Sequence, residues 1–382
     1  MRHDESVRLS YWIDAVAPET EWTFLSLETS AGLTGFGEAA LKGQASEVVR
    51  ARQSLADMVF SLPSATPSAL PADYPLQTPA LAALYCAIDQ ALWDLEGQRS
   101  AQPVACLLSE VGLVRSSIPL YANINRRTHI RSPGAFAASA EQAVAAGFDA
   151  VKIAPFDEVT SSVLGTPQLS RALDAGFARV AAVRAAIGAQ RSLLIDCHWR
   201  FDGRTASTVI DELVAYGVSW VECPLPEIES NLVMLTRLRS QANSRGTRLA
   251  GGELCTRREA FQPFLDHGTY DVMMPDAKWA GGLREMLVLA EAFERAGVAF
   301  SPHNPSGPVC HAASLQVCAA APALDRLEVQ FDETPEFRFL QKEALPPLER
   351  GCSSLPSRPG LGVSLDSQRV LALARETWTC GR

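Results

Sequence analysis

The sequence predicts an α/β protein: a barrel of parallel strands and helices beside a smaller β-rich N-terminal part. Three observations predict it. Eight short apolar runs recur between residues 117 and 331. Each run is continuous rather than alternating, which suits strands buried on both faces. Longer Ala/Leu-rich segments of helical character separate most of them by about 20 to 40 residues, a spacing that favours a closed barrel over an open sheet.

The elements follow in order. Residues 1 to about 50 read as β-rich: in "WTFLSLETSAGLTGFGEA" an alternating run, a Ser-Ala-Gly turn and a second short strand follow one another. The Pro/Ser-rich "SLPSATPSALPADYPLQTP" (61–79) reads as loop. "LAALYCAIDQALWDLEGQ" then places Leu81, Leu84, Tyr85, Ile88, Leu92 and Trp93 at near-helical spacing, with Gly97 as a stop. The barrel runs are "IPLYAN", "AVKIA", "SLLID", "SWVE", "RLAGGE", "DVMMP", "VAFSP" and "LEVQF". The interval between the second and third leaves room for an extra helix. The Gly/Pro-rich "SRPGLGVSLD" near the end is expected to return to the N-terminal part.

The 382 residues suffice for two domains, or one large barrel with an appendage. The formal charge of −9 argues against non-specific binding to nucleic acid or anionic membranes. No apolar run approaches a membrane span. The start, "MRHDESVRLSYWIDAV", lacks a leader pattern, and the nine cysteines form no CxxC pair, so a disulfide framework or cysteine-rich zinc site is not expected and a reducing cytoplasm is.

The chemistry lies at the ends of the runs. The third ends on Asp196, the fourth on Glu222 and the fifth on Glu253. In a barrel the C-terminal strand ends converge, so three carboxylates would meet and repel unless a cation joined them. An all-oxygen set suits Mg²⁺, or Mn²⁺. The sixth run leads to Asp276 and Lys278, the latter a candidate substrate contact, and the seventh to His303. A carboxylate beside a histidine on the next strand is an acid/base pair. In "LLIDCHWRF" (193–201), His198 and Arg200 follow Asp196 in alternation, which an extended backbone would turn to the same side. Arg200 then holds a substrate hydroxyl or anionic group, or is a surface arginine at a helix start. Lys152 on the second run either neutralises a substrate carboxylate or pairs with a neighbouring carboxylate. Tyr121, Asn123 and Asn125 on the first run are candidate hydroxyl contacts.

Taken together, "GFGEA", "AIDQALWDLEGQ", "IDCHWRF", "WVECPLPE", "AGGE", "PDAKWAGG", "PHNPSGP" and "RPGLGVSLD" resemble, in order, the enolase superfamily in its mandelate racemase branch. The resemblance implies a (β/α)₇β TIM-like barrel over 117–351. It also implies an α+β capping domain over 1–116, rejoined by the tail 352–382. With it come Mg²⁺ on Asp196, Glu222 and Glu253, and abstraction of the proton α to a carboxylate. The racemase's Lys-x-Lys is absent, since Ala154 follows Lys152, and Asp276 lies five before Gly281 as in the racemase-type Asp–His dyad. "DxHxR" at the third strand is similar to galactonate-type dehydratases. By that resemblance His303 takes the α-proton, His198 protonates the leaving β-hydroxyl, and Glu328, or Glu333 behind it, is the strand-eight electrophile.

The expected function is a Mg²⁺-dependent acid-sugar dehydratase acting on a small anionic polyhydroxy acid and giving a 2-keto-3-deoxy acid. The resemblance also implies a homo-oligomer, dimer or octamer. The rival readings are a racemase, epimerase or cycloisomerase using the same bases, and an inactive barrel acting as a binding protein.

Overall fold

The structure, a computed structural model, describes residues 7–17, 20–41, 43–109, 112 and 114–381. The chain opens with three antiparallel strands, β1 (Val7–Ala17), β2 (Thr20–Thr29) and β3 (Thr34–Glu38). The C-terminal strand Ala374–Gly381 adds to the free edge of β1, so the tail completes a four-stranded sheet with β3 at its other edge. Two helices cover it, α1 (Ala45–Ser61) and α2 (Pro79–Ser100). Thr78 starts α2 by accepting the Leu81 N–H, with Pro79 in the first turn, and a left-handed Ala101 ends it. Gly35 and Gly37 let α2 lie directly on β3, since a Cβ at either would strike the backbone of Ala91 or Ala87. The sheet and these helices form the cap. The short α3 (Val104–Leu108) leads out of it.

Eight parallel strands make the barrel: β4 (Ser117–Asn123), β5 (Ala150–Ile153), β6 (Ser192–Asp196), β7 (Trp220–Glu222), β8 (Arg248–Gly251), β9 (Val272–Met273), β10 (Ala299–Phe300) and β11 (Leu327–Gln330). Seven helices alternate with them: α4 (Pro133–Ala145), α5 (Gln168–Ile187), α6 (Gly203–Val214), α7 (Leu232–Asn243), α8 (Arg257–Asp266), α9 (Leu283–Arg295) and α10 (Pro308–Ala320). β11 pairs with β4, and a bridge between Phe300 and Leu324 closes the ring. This is the expected (β/α)₇β barrel. Tyr121, Leu194, Trp220, Val272 and Met274 fill its lumen, while a larger apolar cluster seals strands against helices. The long interval after β5 holds a loop and the single 20-residue α5, not an extra helix. Among the described residues no helix is long and apolar enough to cross a membrane, and none of the nine cysteines is in a disulfide.

Cap and tail are joined by a buried carboxylate. Asp94 on α2 accepts the N–H of Phe36 at 3.0 Å and of Leu361 at 2.8 Å. Burial, acting against those two bonds, lifts its pKa from 3.8 to about 7. A carboxyl whose pKa rises on folding favours the folded state most when protonated, and that contribution is lost as pH climbs through the folded value. The stability advantage of the parent protein over Asp94→Asn is therefore expected to be largest near pH 4 and to shrink toward pH 7. Urea melts of both proteins across that range check it; an advantage growing with pH would contradict it.

Candidate active site

A cavity of about 1100 Å³ opens between the cap and the C-terminal ends of the barrel strands. Thr20, Trp22 and Gln44 line it from the cap, and Asp196, Glu253 and His303 from the barrel. The loop 76–79, which reads in sequence only as the end of a Pro/Ser-rich linker, also reaches the wall.

On one flank the turns after β9 and β10 bring Asp276 and His303 together. His303 Nδ1 lies 2.7 Å from Asp276 Oδ2, and the same oxygen accepts from Lys278 Nζ at 2.8 Å. Lys278 also donates to Ser306 Oγ at 2.6 Å. Burial raises the Asp276 carboxyl, but Lys278 and His303 outweigh it and hold the group ionised below its ordinary range. Burial also pulls His303 down despite its carboxylate partner, so the imidazole is neutral at neutral pH. Its Nε2 is then an open lone pair on the cavity side, 3.7 Å from Glu253 Oε1. Lys278 lines the cavity as expected, but its ammonium is committed to Asp276 and Ser306.

On the opposite flank sits His198, because β6 and β10 are four steps apart around the ring. Strand alternation is not what puts it there. The strand ends at Asp196, and His198 and Trp199 both adopt left-handed φ, +46° and +56°. The turn itself folds His198 back: its N–H reaches Asp196 Oδ1 at 2.9 Å and Nε2 approaches Oδ2 at 2.8 Å. Asp196 raises the pKa of this imidazole against the pull of burial. Arg200 does not continue the face as a strand residue. It lines the cavity, yet its Nη1 donates to the carbonyls of Asp157 and Val159 in the loop after β5.

Beneath the wall lies a buried charge cluster. Lys152 Nζ stands 2.6 Å from Glu222 Oε1 and 3.2 Å from Glu328 Oε1, and all three side chains are fully buried. Of its two readings, the ion pair is the one the geometry adopts. Asn123 lines the cavity and donates to Glu328 at 2.6 Å, while Asn125 bonds back to Asn123. Tyr121 corrects its expectation: it is sealed in the lumen, edge-on to Trp220 at 5.5 Å, and not on the cavity wall. Glu328 is likewise behind the wall, bonded by Lys152, Asn123 and Asn304. Glu333 is held by Thr20 and lies 3.6 Å from Arg126.

Asp196 and Glu222 are register partners at the ends of β6 and β7, and Glu253 lies two residues past β8. Their chemistry fits a hard divalent cation. Glu253 Oε2 is buried without a hydrogen-bond partner. Burial and then Asp196 and Glu222 push Glu253 well above the usual carboxylate range. Burial raises Glu222 to about 7, Lys152 pulling it down and Asp196 and Glu328 pushing it up. Both are carboxyls raised first by burial and then by like charges nearby, and a bound cation would offset both effects. The oxygens are not gathered, however: among the described residues no three His, Cys, Asp or Glu form a group that could hold a metal as placed. Asp196 is turned to His198 and Glu222 to Lys152, so a cation would have to draw both away.

Sequence reasoning passed over Glu227. Its Oε1 accepts from Tyr270 Oη at 2.8 Å and Gly252 N at 2.6 Å, and its Oε2 lies 3.3 Å from Trp199 Nε1. It ties the turn carrying His198 to the residue before Glu253. Nothing local distinguishes it from the other polar residues after "ECP".

Two family models match the chain: one described as mandelate racemase/muconate lactonizing enzyme, N-terminal domain, over residues 15–109, and one as enolase C-terminal domain-like, over 135–369. A D-galactonate dehydratase of Ralstonia pickettii (strain 12J) is 31% identical over 365 residues, covering 93% of this chain and 91% of the relative. Another, from Klebsiella pneumoniae (strain 342), is 30% identical over 364 residues with the same coverage. Among solved structures, a mandelate racemase/muconate lactonizing enzyme from Jannaschia sp. CCS1 superposes with a TM-score of 0.82 at 25% identity, over 96% of this chain and 97% of the other. An enolase protein from the Sargasso Sea environmental genome sequencing gives 0.82 at 28%, over 99% of each.

Proposed function

Because the chain belongs to the enolase superfamily, in its mandelate racemase branch, we propose that it is an acid-sugar dehydratase. The substrate is a small polyhydroxy carboxylate, and water is eliminated across Cα–Cβ to give a 2-keto-3-deoxy acid. The observation that carries this reading is a pair of imidazoles on opposite flanks of one cavity, each within hydrogen-bond reach of a carboxylate. Relatives named D-galactonate dehydratase support the substrate class.

His303, fixed by Asp276 through Nδ1, takes the Cα proton on Nε2. The C–H electron pair passes into the carboxylate as an enediolate. His198 then gives its proton to the β-hydroxyl, which leaves as water, and the resulting enol tautomerises to the ketone. Asp196, Glu222 and Glu253 are the residues that would hold Mg²⁺, or Mn²⁺ in its place. When bound, the ion supplies positive charge for the enediolate. Lys152 keeps Glu222 and Glu328 tolerable as neighbours. Asn123 and Arg200, which line the cavity, would meet substrate hydroxyls there. We further propose a cytoplasmic homo-oligomer, dimer or octamer, with a cap over 1–116 and 352–382 and a catalytic barrel over 117–351.

A screen of acid sugars with semicarbazide trapping tests the reading: one substrate should yield a 2-keto acid, and epimerisation without keto product would assign an isomerase instead. Chelation should abolish the activity and Mg²⁺ restore it. His198→Asn separates the two steps. Elimination should fall by about 10²-fold or more, as loss of a general acid does. Deuterium exchange at Cα in D₂O should persist, because His303 is intact. If exchange fell in parallel with elimination, His198 would not be the acid.

A further inference from the structure

Two cap residues hold both halves of the dyad, although neither touches it. Glu38 ends β3 and is fully buried. Its Oε1 accepts the Gly307 N–H at 2.7 Å and its Oε2 the Cys310 N–H at 3.0 Å. These are the opening N–H groups of α10, whose N-cap position, Gly307, has no side chain to cap them. The two oxygens of Glu38 satisfy otherwise orphaned donors at the positive end of the helix dipole, and burial, acting against those two bonds, lifts the Glu38 pKa from 4.5 to about 7. The residues just before it, 303–306, carry His303 and the Ser306 hydroxyl that receives Lys278. Gly307 is part of the fit, since a Cβ there would come within 2.9 Å of both Glu38 Oε2 and Trp22.

Gln90 on α2 does the matching work on the neighbouring loop. Its Oε1 accepts the Glu38 backbone N–H at 3.0 Å and its Nε2 donates to the Ala277 carbonyl at 3.1 Å. Ala277 stands between Asp276 and Lys278. One cap side chain therefore grips the loop of Asp276, a second grips the loop of His303, and a hydrogen bond ties the two to each other. The turns after β9 and β10 are irregular backbone whose parent strands contribute only two ladder residues each. Such segments need outside support to hold a 2.7 Å contact.

We propose that Glu38 and Gln90 are positioning residues that staple the Asp276 and His303 loops in register, so that the cap sets the geometry of the dyad. This rests on the reading of Asp276–His303 as the proton-abstracting pair. The test uses Glu38→Gln, which keeps the shape but loses one of the two acceptors, and Gln90→Met, which loses both bonds. Asp94→Asn is the control: it weakens a buried cap carboxylate at a seam away from the dyad.

The primary readout needs no substrate. The His303 Nδ1–H proton shared with Asp276 should give a low-field NMR resonance, assigned by its loss in His303→Asn. It should broaden or vanish in Glu38→Gln and in Gln90→Met, and persist in Asp94→Asn. On the acid sugar found by screening, kcat should fall roughly 10- to 100-fold in the first two variants, the scale of a misplacement near 1 Å. KM should stay within about twofold, since neither residue lines the cavity. If Glu38→Gln proves too unstable to purify, Gln90→Met alone decides. An unchanged resonance in the stapling variants, or an equal kcat loss in Asp94→Asn, overturns the proposal. A failed substrate screen leaves the NMR comparison intact and counts against the dehydratase reading alone.

Discussion

His303→Asn is expected to lower turnover by about 10²- to 10⁴-fold, the usual contribution of a positioned general base. The asparagine amide can still offer a donor to Asp276, but nothing replaces the Nε2 lone pair that faces the cavity. Asp276 keeps Lys278 at 2.8 Å, so no buried carboxylate is stranded and the fold should tolerate the change. Mg²⁺ binding should survive, since His303 comes no nearer than 3.7 Å to a carboxylate of the proposed set. Steady-state kinetics, Cα deuterium exchange and Mg²⁺ titration on the same preparation measure these together. Exchange must disappear along with turnover, because both need the same proton to leave. Near-normal activity, or exchange that outlives turnover, would remove His303 from the role of base.

The barrel was legible because its strands are buried on both faces, which leaves continuous apolar runs whatever the details of packing. Asp196 and Glu222 were legible for a related reason: each closes such a run, and the ladder ends on those residues. Period-two reasoning gave out one residue later. Past Asp196 the backbone turns left-handed, so the contact between His198 and Asp196 is real while the alternation invoked for it is not. Tyr121 shows a second limit. It and Asn123 share a strand face, as alternation requires, but one is deep in the lumen and the other at the wall. Alternation reports which face a side chain takes and is silent about depth. Glu38 shows a third, for its partner Gly307 lies 269 residues away and the pairing exists only once the cap has docked.

Lys152→Met should be the most destabilising change in the site. The ammonium is fully buried between Glu222 and Glu328, and both carboxylates raise its pKa further against the cost of burial. Methionine matches the stem and removes the charge. Two neighbouring buried carboxylates are then left facing each other. Breaking a buried pair by deleting one partner costs about 3–5 kcal/mol. Thermal melts should show that loss, and acidic pH should recover part of it, because protonating either carboxyl ends the repulsion. The same variant probes the cation site without recourse to activity. In the parent protein a divalent ion must draw Glu222 away from Lys152; in the variant that competitor is gone and the negative charge is larger. Mg²⁺ should therefore raise the melting temperature of Lys152→Met by more than it raises that of the parent, since a ligand stabilises in proportion to its preference for the folded form. Adding Glu222→Gln should erase the difference. A Mg²⁺ shift that is equal in all three proteins, or absent from all, would mean that Glu222 is not part of a metal site.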